Sequence, residues 1–172
     1  MNTQTYHDLI LPAALKFFPA NYSSKEARAE ILTIGLQESD FVHRQQLIGS
    51  KAHWWLSING PATGFQQFEL VGVTEVLRNP ATRQRALYVC DLFGYPPEPS
   101  VIHKALVHND LLGAVWSRLA LWRVREPLAK ENNPEEGWRQ YIQIWAPGKA
   151  KPLKWLACWE EAWRVVNKYD KT

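Results

Sequence analysis

The stretch ILTIGLQESDF, residues 31–41, carries an acid where a purely structural helix would carry an apolar side chain. Ile31, Ile34, Gly35 and Glu38 stand at i, i+3, i+4 and i+7, so on an α-helix they share one face. Glu38 therefore extends an apolar stripe. It also falls in the last turn of a helix that runs to about Ser39, where the helix dipole disfavours negative charge. Partial burial, the dipole and the nearby Phe41 all favour the neutral acid and raise its pKa. A carboxylic acid that keeps its proton near neutral pH is a general acid. It can protonate a leaving oxygen as the bond breaks, which cleavage of a glycosidic bond requires. The plain alternative is a helix-end glutamate paired with His43 or Arg44.

A second segment, GPATGFQQFE over residues 60–69, has the character of a substrate-facing turn. Gly60-Pro61 makes the turn, and Gly64 permits a close backbone approach. Phe65 and Phe68 are spaced to pack inward. That leaves Gln66, Gln67 and Glu69 to present amide and carboxylate groups.

ESDF followed by GPATGFQQ resembles the lysozyme-like superfamily, in particular lytic transglycosylases and goose-type lysozymes, which carry Glu-Ser-x-Phe at a helix end and then a Gly-Ala-x-Gly-Leu-Met-Gln-like segment. The later GWRQYIQIWAPGK, residues 137–149, is similar to a stretch in bacteriophage-encoded members. The resemblance covers roughly residues 24–70, and beyond that rests on the helical pattern and the WAPGK segment. It implies a peptidoglycan-cleaving glycosidase with Glu38 as general acid/base. Ser39 matches the serine after the acid, Gly64 the glycine of the second segment, and Gln67 the glutamine that faces the sugar. Two departures stand out: Glu38 and Gln67 are farther apart than the family spacing, with the extra residues in 45–59, and Phe65-Gln66 replaces Leu-Met.

Two chemistries share that fold. An inverting hydrolase needs a second carboxylate to activate water; Glu69 is the candidate, Asp40 pointing away from Glu38 if the helix continues. A lytic transglycosylase needs one acid, which later takes the proton from the sugar's own hydroxyl. Trp54-Trp55 lies in the extra segment beside His53; adjacent residues of a strand face opposite ways, so Trp54 is a candidate sugar platform. Tyr141 and Trp145 share a helical face, and the resemblance makes Tyr141 a cleft residue. The implied partner is the glycan strand of peptidoglycan, met by a monomer made in the host cytoplasm and acting at the bacterial wall, in the periplasm, or carried in the virion. The alternative is an inactive lysozyme-fold structural or binding protein of a phage particle.

These residues must be positioned by a mainly helical, lysozyme-like single domain with a short loop or hairpin after the catalytic helix. The chain has 172 residues, enough for one domain with a sizeable core, and 46% of them are hydrophobic. Ser23-Ser24-Lys25-Glu26 has the form of a capping box that opens a helix ending near Ser39. Residues 6–18 are helix-like around Pro12. Residues 42–63 read as a loop with a short hairpin, and 65–78, 81–93, 99–107, 110–124, 134–145 and 152–168 carry apolar residues at helical spacing. The ladder Trp155, Trp159 and Trp163 reads as a core stripe, as do Trp116 and Trp122, and Cys90 and Cys158 as buried free thiols with a disulfide as the alternative. No run of about 18 apolar residues suggests a membrane span, and the N-terminus lacks a secretory pattern. The five histidines show no zinc spacing and no Gly-rich phosphate loop is present, so neither metal nor cofactor is expected. A net charge of +3 is too weak to argue for nucleic acid, and Arg78, Arg83, Arg85 and the Lys149–Lys154 cluster read as solvated faces.

Overall fold

The computed structural model describes residues 1–49, 58–147 and 151–169. Its architecture is mainly helical, with one small antiparallel sheet. Asn2 caps α1 (Thr3–Thr5), a π-helical turn covers Tyr6–Ile10, and α2 (Leu11–Leu15) restarts with Pro12 in its first turn. The helix-like reading around Pro12 agrees with a helical backbone from Thr3 to Leu15 that passes through a π turn just before Pro12. Proline has no N–H to continue the ladder, and it is tolerated where a first turn needs none.

Helix α3 (Lys25–Ser39) is capped by Ser24, whose Oγ accepts from the Ala27 N–H; the cap lies one residue later than the capping-box pattern suggests. The helix is buried almost all round, from Ala27 through Gln37, including Leu32 and Thr33, which lie off the expected stripe. It is therefore a central helix and not an amphipathic one. Glu38 is half-buried because other elements pack around most of the helix, not because one face is apolar, and its last turn is only partly enclosed.

Strands β1 (Gln45–Ile48) and β2 (Ile58–Thr63) form the expected hairpin, pairing Gln45 with Thr63 and Leu47 with Asn59 across a bulge. Gly60-Pro61, expected to make a turn, lies inside β2 instead, where Pro61 removes a ladder donor. Side-chain amides take over: Gln45 Nε2 donates to the Gly60 and Ala62 carbonyls, and Gln46 Oε1 accepts from the Ala62 N–H. Residues 50–57, with His53, Trp54 and Trp55, lie outside the described residues, and so does the proposed Trp54 platform.

The expected helix from residue 65 begins only at α4 (Leu70–Arg78). Residues 63–68 form a turn instead, closed by Thr63 and Phe68 exchanging backbone hydrogen bonds at 2.9 and 2.8 Å. Gly64 and Gln67 are both left-handed in it. Next come α5 (Arg83–Phe93), α6 (Pro99–Ala105), α7 (Asp110–Leu121), α8 (Pro134–Trp145) and α9 (Pro152–Tyr169). These agree with the periodic segments to within a few residues. Helix α7 is the second central element, buried from Leu112 to Leu121. Helix α9 packs along α3, and its ladder of Trp155, Trp159 and Trp163 is core, as expected. Trp155 and Trp159 donate their indole N–H groups to the Pro134 and Glu131 carbonyls, both 2.9 Å, which ties α9 to the start of α8. Trp116 is fully buried, Trp122 packs at the core edge, and Cys90 and Cys158 are buried free thiols.

Candidate functional site

The chain leaves α3 through two consecutive left-handed residues, Asp40 and Phe41, at φ 53° and 55°. Aspartate tolerates this conformation; a phenylalanine there is strained, and packing must hold it. The Phe41 ring folds back over Gly35 and lies against Tyr6 and Phe65, with centroids 4.6 and 5.4 Å away. A Cβ at position 35 would overlap that ring, which explains the glycine in the buried run. The apolar stripe thus ends on Phe41, and Glu38 stands beside it in the same turn.

Ser39 fixes the turn to the second segment. Its hydroxyl lies 2.7 Å from the Phe65 carbonyl and 3.2 Å from the Gly35 carbonyl, and it accepts from the Phe41 N–H. Buried and fully engaged, Ser39 joins ESDF to GPATGFQQ and does not face a substrate. Gly64 has φ 73°, donates its N–H to the Arg44 carbonyl at 2.8 Å, and lies close to the Leu106 backbone. It is a turn glycine.

Gln66 corrects the expectation that it offers its amide to a ligand. It is 1% exposed, and its Nε2 donates inward to the Tyr6 hydroxyl. Its own carbonyl accepts from the Trp145 indole at 2.9 Å. Gln67 is half-buried and folds its amide onto the Gly64 and His43 carbonyls, at 2.7 and 3.3 Å. The alternation follows from the turn, whose left-handed Gln67 points its side chain away from that of Gln66.

Glu38 meets neither His43 nor Arg44. The Arg44 guanidinium makes a two-pronged bond to Asp110, 2.7 Å on each arm, and the His43 side chain is exposed. The partner of Glu38 is Tyr141 on α8, whose hydroxyl donates to Glu38 Oε1 at 2.5 Å. Tyr141 is 1% exposed and stacks on Trp155, so its hydroxyl is held in place by aromatic packing. Burial raises the Glu38 pKa; the Tyr141 hydrogen bond and the charges of Lys151 and Lys154 act downward, and the charge of Glu69 acts upward. The net direction is up, toward a retained proton. Burial and the neighbouring carboxyl push the Tyr141 hydroxyl above its ordinary range, so it stays a donor.

Glu69, the candidate second carboxylate, is exposed at the start of α4 and reaches Glu38 only as a weak charge. Asp40 is exposed and turned toward Lys154, 3.0 Å away. Of the expected site residues, the fold brings Glu38 and Tyr141 into contact. Ser39, Gly64 and Gln66 become the scaffold under them, and Gln67 stands at the edge.

Lys154 is the site residue that sequence reasoning missed. The Lys149–Lys154 cluster reads as a solvated face, and only the docking of α9 onto α3 reveals this contact. A cavity of about 590 Å³ lined by Tyr22, Ser24, Arg118 and Trp122 lies at the opposite end of α3, roughly 20 Å along the helix from Glu38. Among the described residues, no group of three or more His, Cys, Asp or Glu side chains is placed to hold a metal. No described helix is long and apolar enough to cross a membrane. Comparison of the chain with protein-family models, with curated proteins and with solved structures found no match.

Proposed function

We propose that this chain is a peptidoglycan-cleaving glycosidase of lysozyme-like fold, with Glu38 as its general acid/base and a phage lysin as its biological setting. The observation that carries the reading is one contact. A half-buried carboxyl group with a raised pKa sits at a helix end, aimed by the buried Tyr141 hydroxyl. An acid held protonated and oriented is what departure of a sugar oxygen demands. The direct bond from Ser39 to the Phe65 carbonyl supports the resemblance, since it joins the two segments on which the resemblance rests.

The positions of the other carboxylates favour the one-acid chemistry. Glu69 is exposed and Asp40 is turned toward Lys154, which leaves Glu38 to act twice. Its O–H gives its proton to the glycosidic oxygen as the bond to the sugar carbon breaks. The carboxylate then takes the proton of the sugar's own hydroxyl, whose oxygen closes onto that carbon. The products are a free hydroxyl on the leaving glycan and an anhydro end on the other.

Glu38→Gln keeps the shape of the side chain and removes the proton. The variant is expected to fold as wild type and to lose clearing of purified peptidoglycan; clearing at the wild-type rate overturns the reading. Mass spectrometry of the products distinguishes the chemistries, because anhydro ends mark the one-acid route and reducing ends the hydrolase. The inward-facing Gln66 and the fully engaged Ser39 favour a second reading, an inert lysozyme-fold component of a phage particle. That reading predicts no muropeptide products at all.

A further inference from the structure

The start of α9 grips the end of α3. Lys154 Nζ donates to the Leu36 carbonyl at 2.5 Å and the Gln37 carbonyl at 3.1 Å, and stands 3.0 Å from Asp40 Oδ1. Gln37 Nε2 returns a bond to the Lys151 carbonyl at 3.1 Å. The last carbonyls of a helix have no partner within it, and they carry the negative end of its dipole. The Leu36 carbonyl also accepts from the Asp40 N–H, and the single ammonium completes the cap of α3, reaching residues on both sides of Glu38. The acid's backbone is held from α9 and its carboxyl group from α8, through Tyr141.

We propose that Lys154 is a positioning residue for Glu38: its ammonium fixes the helix turn that aims the carboxyl group and, alongside Lys151, adds positive charge beside which the ionised carboxylate can exist. The inference rests on the reading of Glu38 as general acid/base. In the one-acid sequence Glu38 begins protonated, gives up its proton, stands as a carboxylate, and regains a proton from the sugar. Burial and the helix dipole both oppose that intermediate carboxylate. Tyr141 acts on Glu38 through its hydrogen bond, and the charges that act on it are those of Lys151, Lys154 and Glu69. Of the two lysines, Lys154 is the one bonded to the turn itself. Its ammonium also acts on the neighbouring Cys158 thiol, which burial keeps protonated.

The test follows the Glu38 carboxyl by carbon-13 NMR across pH in wild type, Lys154→Met, Lys154→Arg and Lys16→Met. Lys16 is exposed and is not among the charges that act on Glu38. Kinetics on purified peptidoglycan accompany the titrations. In Lys154→Met the Glu38 midpoint is expected to move to higher pH. The descending limb of the pH–rate profile moves with it, and kcat falls by about 10²-fold, the cost of roughly 1 Å of misplacement, with KM little changed. Arginine can reach the same carbonyls, so Lys154→Arg recovers most of the loss, and Lys16→Met changes nothing. A Glu38 midpoint that is the same in Lys154→Met as in wild type overturns the proposal, and so does an equal shift in Lys16→Met. If Lys154→Met is unfolded, Lys154→Gln, which keeps a donor and drops the charge, decides by the same titration. The titration reads Glu38 without turnover. Clearing that survives Glu38→Gln therefore sinks the functional reading alone, while the coupling of Lys154 to Glu38 stands or falls on the midpoint.

Discussion

Glu30 sits in the middle of α3 with 0% of its surface exposed, and neither carboxyl oxygen has a hydrogen-bond partner among the described residues. Burial pushes its pKa up to about 8 from an ordinary 4.5; the nearby Arg118 acts downward and Glu136 upward. The folded protein therefore holds a proton at Glu30 that the unfolded chain releases above pH 4.5. Wherever the folded state binds the extra proton, stability falls as pH rises, by about 1.4 kcal/mol per pH unit. Between pH 4.5 and 8 this amounts to as much as about 5 kcal/mol. Glu30→Gln has nearly the shape of the protonated acid and no proton to lose. The variant should match wild type near pH 4.5 and exceed it increasingly toward pH 8. At about 2–4 °C per kcal/mol for a domain of this size, the gain in Tm at pH 8 reaches roughly 10–20 °C. Scanning calorimetry of both proteins at half-unit pH steps measures the difference, and the subtraction cancels the other titrating groups, Glu38 included. A Tm difference that stays flat from pH 4.5 to 8 refutes the argument, because Glu30 would then be ionised or solvated in the folded state.

Other outcomes follow from the site itself, in addition to those expected of Glu38→Gln and the Lys154 variants. Tyr141→Phe removes the hydroxyl that stabilises the Glu38 carboxylate, so the Glu38 midpoint and the descending limb of activity should both move to higher pH, with about 1 kcal/mol of stability lost. A limb that moves down instead contradicts the assigned direction of that hydrogen bond. Gly35→Ala drives a methyl group into the Phe41 ring, which Tyr6 and Phe65 keep from swinging away. The expected cost is about 1–3 kcal/mol, read as a lower denaturation midpoint at unchanged slope. Stability equal to wild type would mean that Phe41 is not seated over Gly35.

Helical periodicity was enough to read the long elements, because α4 through α9 carry apolar residues at the helical period between Pro, Gly and Asn breaks. The hairpin was legible from the loss of helical periodicity over 42–63, although Gly60-Pro61 lies inside β2 and not in a turn. The Trp155, Trp159 and Trp163 ladder was legible as core because three indoles at i+4 spacing have nowhere else to go. The partial burial of Glu38 was read from the right residues for an incomplete reason. A stripe at i, i+3, i+4 and i+7 implies a helix with one buried face, whereas α3 is enclosed on most sides by elements far away in the chain.

What only the tertiary structure decided is where polar side chains point and what they meet. Gln66 and Gln67 are neighbours of one type, and a single left-handed residue sends one into the core and leaves the other at the edge. Ser39 looks like a candidate ligand group until the Phe65 carbonyl is found 2.7 Å away. Tyr141 and Lys154 lie on helices more than a hundred positions from the acid, and their bonds to α3 exist only once α8 and α9 have docked. The local pattern of residues dictates which backbone hydrogen bonds close within a segment. It carries no record of which side chain will complete a helix end from across the fold, because that depends on packing between elements whose separation in the chain leaves no local trace.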